Sequence, residues 1–214
     1  MTQLLVPGGT NCGAKLLLVI SRLLQSAVVI GLVSQANGQG IPRPSVPEKI
    51  KAPPGEEVVL YVRASGLQIY TCQQGTDGKY GWTLKAPEAE LLDQQGSVVG
   101  RHYAGPTWKH NDGSEISGKA VAKVDCPDSD SIPWLLVSVT SHSGEGVFGR
   151  VTSIQRIHTR GGQPPPVADC NASKQNTEAK SSYTAEYFFF APAKEGGTAG
   201  MVPGGARECG GGSC

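Results

Sequence analysis

The stretch from Arg101 to Ser114, RHYAGPTWKHNDGS, gathers two histidines, a tyrosine, a tryptophan and an aspartate around turn-forming glycines. Aromatic rings beside compact polar groups can hold a sugar or another small ligand. The rings cover its apolar face and the polar groups fix its hydroxyls. On that reading Tyr103 and Trp108 form the platform, while His102, Asn111 and Asp112 make the hydrogen bonds. The competing reading is a structural hairpin in which Trp108 fills the core and Asp112-Gly113 makes the turn. Were a metal bound here, His102, His110 and Asp112 would be the nearest ligands, although their spacing follows no zinc-ligand pattern.

A second set of reactive residues lies further along. Arg156 and His158 fall on one predicted strand face with Ile154, and Glu186 stands between aromatics in the last predicted strand. A buried Glu186 needs a partner, and Arg156 is the natural one, giving a structural ion pair. The alternative makes His158 and Glu186 a proton-transfer pair in a cleft, which requires the fold to bring them into contact.

Gly144-Glu145-Gly146-Val147-Phe148-Gly149 spells G-x-G-x-x-G, with Asp169 twenty residues beyond its last glycine. The spacing imitates a dinucleotide fingerprint, but the mechanism needs a helix N-terminus under the pyrophosphate. Here the following residues are strand-like and end in Gly161-Gly162. These glycines are therefore expected to form a hairpin turn, and the chain is not expected to be a nicotinamide-dependent dehydrogenase. No G-x-S-x-G or H-E-x-x-H string occurs, and no cysteine sits in a protease-like context. No cofactor is expected.

The elements that must position these residues are short strands. Val58, Leu60 and Val62 alternate with Val59, Tyr61 and Arg63, and Leu67, Ile69 and Thr71 alternate with Gln68, Tyr70 and Cys72. Ser65-Gly66 reads as the turn between these two strands, and Asp77-Gly78 leads into a third over Tyr80 to Leu84. Further strands are expected over 97–103, 114–124, 132–140, 147–159 and 183–190. In the last, Tyr183, Ala185, Tyr187 and Phe189 share one face. The segment 151–159 also fits a helical stripe, but its β-branched residues favour a strand. Ile132-Pro133-Trp134 opens an apolar run, so Trp134 is assigned to the core. Only Pro87 to Asp93 reads as a helical turn. About eight short strands with minimal helix predict a single antiparallel β-sandwich or barrel.

Composition agrees. Among 214 residues, 29 glycines and 15 prolines mark a turn-rich chain, and 38% apolar content suffices for one core. A formal charge of +1 without a basic stripe argues against nucleic-acid binding. The apolar run LLQSAVVIGLV follows Lys15 and Arg22 and precedes Ser34-Gln35-Ala36, so residues 1–36 read as a secretory signal peptide cleaved after Ala36. The run is short for a membrane span. Removal leaves 17 basic and 18 acidic residues and a mature chain with no membrane span. Residues 37–55, with five prolines, read as an extended arm outside the core. Residues 56–192 form the β-domain, and 193–214 a glycine-rich tail ending CGGGSC.

Five cysteines then remain, an odd number: Cys72, Cys126, Cys170, Cys209 and Cys214. In an oxidising compartment an even subset pairs, and Cys209 or Cys214 can bridge to another chain. Asn171-Ala172-Ser173 is a glycosylation sequon if the host is eukaryotic.

Read in order, GLQIYTC (66–72), HYAGPTW (102–108), DGS (112–114), IPWLL (132–136), IQRIHTRGG (154–162) and YTAEYFFF (183–190) resemble a family of secreted bacterial, fungal and algal proteins catalogued as a domain of unknown function. The resemblance runs from about Pro47 to Pro192. Some fungal members carry an automatic malate dehydrogenase label, which the residues of this chain do not support. The resemblance implies a disulfide between Cys72 and Cys170, since similar members place cysteines after the corresponding strings. Cys126 is then the odd thiol of the domain.

The function expected from these residues is a secreted, non-enzymatic module binding cell-wall or matrix carbohydrate, or another small ligand, through the Arg101 to Ser114 loop. An extracellular hydrolase or metal-dependent enzyme built on His102 and Asp112 is the alternative. A structural or stress-related secreted protein is a third reading.

Overall fold

Side chains that alternate in and out along a strand build a barrel when the sheet curls far enough for its last strand to meet its first. The computed structural model describes residues 40–194. The signal segment 1–36, Cys209, Cys214 and nearly all of the tail lie outside the described residues. Eight strands form one closed antiparallel barrel in sequence order: β1 (Glu56–Gln74), β2 (Tyr80–Leu92), β3 (Val98–Tyr103), β4 (Thr107–His110), β5 (Glu115–Val124), β6 (Trp134–Ser143), β7 (Ser153–Gly161) and β8 (Glu178–Pro192). β8 closes the ring on β1. Of the two expected architectures, the chain adopts the barrel. The described residues contain no helix long and apolar enough to cross a membrane.

Two expected elements take another form. Ser65-Gly66 is no turn: both residues lie inside β1, where Gly66 pairs with Ala89 of β2 and with Tyr183 of β8. A Cβ at position 66 would lie 2.2 Å from the Glu88 carbonyl oxygen, so the glycine permits close approach of two strands. Pro87 to Asp93 is no helical turn. Pro87, Ala89 and Leu91 are buried and Glu88 and Glu90 exposed, and that period-two burial holds the segment in β2 against its helical propensity. The short strand β4 lies in the polar stretch between the strands expected over 97–103 and 114–124, where no separate strand was expected.

Lumen-facing residues form the inner core. Tyr183, Ala185, Tyr187 and Phe189 share the inner face of β8, as their spacing predicts. They pack with Val62, Leu91, Trp108, Ile116, Phe148 and Ile154. Phe148, from the β6–β7 connection, closes one end against Phe189, their ring centroids 4.8 Å apart. The G-x-G-x-x-G string belongs to this hairpin connection, where Gly144 and Gly146 have φ of 70° and 144°.

Outside the wall lies a second apolar layer. Residues 40–55, read as an arm outside the core, pack on the barrel: Ile41 pairs with Val58, and Ile50 and Ala52 are buried with Val58, Ile157, Phe188 and Phe190. Gln155 Nε2 donates to the Ile50 carbonyl at 2.6 Å, and Arg43 stacks over Phe190. Burial of Ile50 alone contributes about 2 to 3 kcal/mol. Cys72 and Cys170 form a disulfide, with Cα atoms 5.4 Å apart, that ties the end of β1 to the β7–β8 connection.

Candidate functional site

The polar stretch Arg101 to Ser114 is divided by strand alternation. On β3 and β4, His102 and Trp108 point into the barrel, 3% and 2% exposed, whereas Tyr103, Lys109 and His110 stay at least partly accessible. His102 and Trp108 stack at 4.3 Å with planes 11° apart, and His102 Nδ1 lies 2.8 Å from the Thr107 carbonyl. Burial, countered by that hydrogen bond and aided by Arg156, lowers the imidazole pKa to about 3. His102 is therefore a neutral core residue. The surface platform expected of Tyr103 and Trp108 does not form, because the two rings lie on opposite sides of the wall.

Tyr103 and Asn111 line a shallow pocket of about 320 Å³ with Arg101, Lys109 and His110. Their polar atoms are engaged: Tyr103 donates to Glu115 at 2.7 Å, and Asn111 donates to the Val98 carbonyl at 2.8 Å. Asp112 clamps two loops, accepting from Ser114 through one carboxylate oxygen and from the Val147 amide through the other. Loss of hydration opposes ionisation there. The hydrogen bonds from Ser114 and Val147, with His110 beside them, nevertheless hold the carboxyl far below the usual range. His110 reaches Asp112 at 3.1 Å, but His102 faces the lumen, so the three do not converge. Among the described residues no three His, Cys, Asp or Glu side chains form a metal-holding group.

The second set does converge, with a different partner. In the β7–β8 register Ile157 opposes Glu186 and Arg156 opposes Tyr187, so Glu186 faces outward and Arg156 inward. Arg156 donates to the Pro133 carbonyl, and the Arg156–Glu186 pair expected from the sequence is absent. The register then slips between Ile157 and Arg160. This bulge re-aims His158, whose φ of 48° is left-handed, out of the alternation that would turn it inward. Its Nδ1 meets Glu186 Oε2 at 2.8 Å. Trp134, assigned to the core from its sequence setting, is half-buried and meets the His158 ring edge-on at 5.1 Å.

These residues stand in a cleft of about 720 Å³ on the outer wall. β1 supplies Arg63, β7 supplies Arg160, and the β5–β6 connection supplies Cys126 and Asp128. Glu186 also lies near the Tyr61 hydroxyl, whose pKa is raised first by burial and then by that carboxylate. Cys126, without a disulfide partner among the described residues, has its Sγ 3.7 Å from the Thr159 carbonyl. Sequence reasoning missed Arg63, Arg160 and Asp128, which carry no local motif and are assembled only by the register.

The sequence profile of DUF3455, described as a protein of unknown function, matches residues 53–191. The chain belongs to DUF3455. The matched span runs from the arm's last turn to the end of β8, so the DUF3455 domain is this barrel together with its disulfide. No curated protein and no solved structure matches the chain. Asn171 of the DUF3455 domain is exposed beside Cys170 and accepts from Ser173, capping a short 3-10 turn.

Proposed function

We propose that the protein is an exported, non-catalytic binding barrel whose outer cleft takes a neutral polar ligand, in the first place a saccharide of a cell wall or matrix. The observation that carries this reading is the cleft's composition. Trp134 supplies an aromatic surface, while Arg63 and Arg160 are balanced by Asp128 and Glu186. A cleft with no net charge and many planar donors and acceptors selects hydroxyl-rich neutral molecules over ions. Export is supported by the signal-like segment 1–36 and by a disulfide that requires an oxidising compartment.

Retention on insoluble polysaccharides tests it. Wild-type protein is retained, Trp134→Ala and Glu186→Gln are not, and Tyr103→Ala behaves as wild type. Absence of retention on every glycan, or equal retention by Trp134→Ala, rejects the reading.

A second reading rests on one contact. The His158–Glu186 pair at 2.8 Å, in a cleft that Cys126 also lines, has the parts of a proton-transfer site for an extracellular hydrolase. Turnover of ester substrates that is lost in His158→Gln while polysaccharide retention persists would favour it.

A further inference from the structure

His158 holds a backbone conformation that residues with a Cβ rarely adopt, and it does so where it lines the outer cleft. Such conformations persist where surrounding contacts fix them, and they gather at ligand clamps. The contact that fixes this one runs from its Nδ1 to Glu186 Oε2, at 2.8 Å. An ionised carboxylate only accepts hydrogen bonds, so the hydrogen between them sits on Nδ1. A neutral imidazole carries one ring hydrogen, which leaves Nε2 with a lone pair. Among the described residues Nε2 has no hydrogen-bond partner, and half of the side chain is exposed.

Few groups around the ring offer the same capacity. Arg63 and Arg160 line the cleft and only donate. Asp128 turns its oxygens to its own loop: Oδ1 accepts from the Asp130 amide at 3.1 Å and Oδ2 from the Ser131 hydroxyl at 3.0 Å. The Cys126 thiol points at the Thr159 carbonyl. The Ser65 and Thr184 hydroxyls both donate and accept. Trp134 meets the His158 ring at 5.1 Å, so a sugar lying on the indole brings its rim of hydroxyls to the imidazole.

We propose that His158 Nε2 is the acceptor through which the cleft reads a ligand hydroxyl, with Glu186 as the positioning residue that fixes the ring's tautomer. This rests on the saccharide reading of the cleft and adds to it the ligand group that is read and a pH dependence. One sugar hydroxyl donates to Nε2, while Arg63 and Arg160 donate to the oxygens of its neighbours.

Protonation of His158 turns Nε2 into a donor and sets a third cation beside two guanidiniums. The charged and titratable groups around the ring come from three sides. β8 supplies Glu186, with the Tyr61 hydroxyl of β1 beside it; β1 and β7 supply Arg63 and Arg160; and the β5–β6 connection supplies Asp128 and Cys126. A neutral glycan therefore binds best while His158 is neutral, and acidification releases it.

Two measurements on the intact chain test this. Heteronuclear NMR of the imidazole nitrogens at about pH 8, with His158→Ala to assign the signal, shows hydrogen on Nδ1 and a bare Nε2, and Glu186→Ala loses that preference. Binding isotherms on cellulose, chitin, xylan and starch, with the fold checked by circular dichroism, supply the second. On a glycan that retains the protein, affinity falls at least about fivefold from about pH 8 to about pH 5. His158→Ala binds at least about fivefold more weakly than wild type at the higher pH and matches it at the lower. Affinity that is constant or rises on acidification, or undiminished binding by His158→Ala, overturns the proposal. A wild-type ring with its hydrogen on Nε2, or a tautomer unchanged in Glu186→Ala, overturns it while leaving the saccharide reading intact. Retention on none of the four glycans overturns both.

Discussion

His158 and Glu186 meet at 2.8 Å only because β7 bulges between Ile157 and Arg160, which places His158 in a left-handed conformation at φ 48°. The contact does little for stability. His158 is 51% and Glu186 30% exposed in their side chains, and ion pairs so hydrated contribute at most about 1 kcal/mol. The left-handed backbone costs about 1 to 2 kcal/mol for a residue with a Cβ.

Removing that Cβ therefore offsets most of the loss. His158→Gly is expected to stay within about 1 kcal/mol of wild type in urea unfolding, and His158→Ala to fall below it by about 1 kcal/mol. A glycine variant less stable than the alanine variant would show that the backbone at 158 is unstrained.

His102 gives the protein a specific acid sensitivity. Its folded pKa is lowered from 6.5 to about 3, first by burial, so the unfolded chain binds a proton in that interval that the folded chain refuses. The contribution of neutral His102 is complete above pH 6.5 and is lost as the pH falls toward 3, at up to about 1.4 kcal/mol per pH unit. Between pH 6.5 and 5 the Asp112 carboxylate, held far below the usual range, stays ionised and adds no slope. Urea midpoints measured at pH 7, 6 and 5 should fall for wild type and fall less for His102→Gln. Parallel curves would mean that protonated His102 is accommodated.

How far the sequence could carry the reading is visible in three of these residues. Period-two spacing located β8 and its inner row of Tyr183, Ala185, Tyr187 and Phe189, because burial on a curved sheet follows the alternation of the backbone. The same logic failed at His158: a bulge adds a residue to one strand only, and no residue type in Ile157-His158-Thr159 announces it. Glu186 was given Arg156 as partner on chemical type alone, whereas register decides which strand face each residue occupies. Of the outer cleft only the His158 and Glu186 contact was legible, as the alternative pairing, since Arg63, Asp128 and Arg160 lie far apart in sequence and meet through strand order. At the His102 and Trp108 stretch the sequence left two readings open, and the fold adopts the hairpin with Trp108 in the core. The stretch has the composition of a binding loop, and only the strand pairing of β3 with β4 shows that half of it faces inward.

The Cys72–Cys170 bridge closes a loop with a sequence separation of 98. Loop-closure entropy assigns such a crosslink about 4 to 5 kcal/mol. The Cys72→Ser, Cys170→Ser double variant is expected to lose most of that in urea unfolding while keeping its strand signal in far-UV circular dichroism. Wild type unfolded in a strong reductant should match it. A loss below about 1 kcal/mol would mean that the bridge constrains a part of the chain already ordered in the unfolded state.

At Gly66 the backbone of β2 comes up close against β1. A Cβ there would stand 2.2 Å from the Glu88 carbonyl oxygen and 2.4 Å from Ala89 Cα, both of them backbone atoms that no rotamer change can withdraw. Gly66→Ala therefore has to push β2 away from β1, breaking ladder bonds in a closed barrel that has no free edge to absorb the shift. Overpacking in well-packed interiors costs about 1 to 3 kcal/mol when side chains can yield, so a loss above about 3 kcal/mol, or failure to fold, is expected here. Gly113, at φ 96° with open space around its Cβ direction, is the comparison: Gly113→Ala meets backbone strain alone and should cost about 1 to 2 kcal/mol. If Gly66→Ala proved the milder of the two in thermal or urea unfolding, the close approach of β1 and β2 at this point would be wrong.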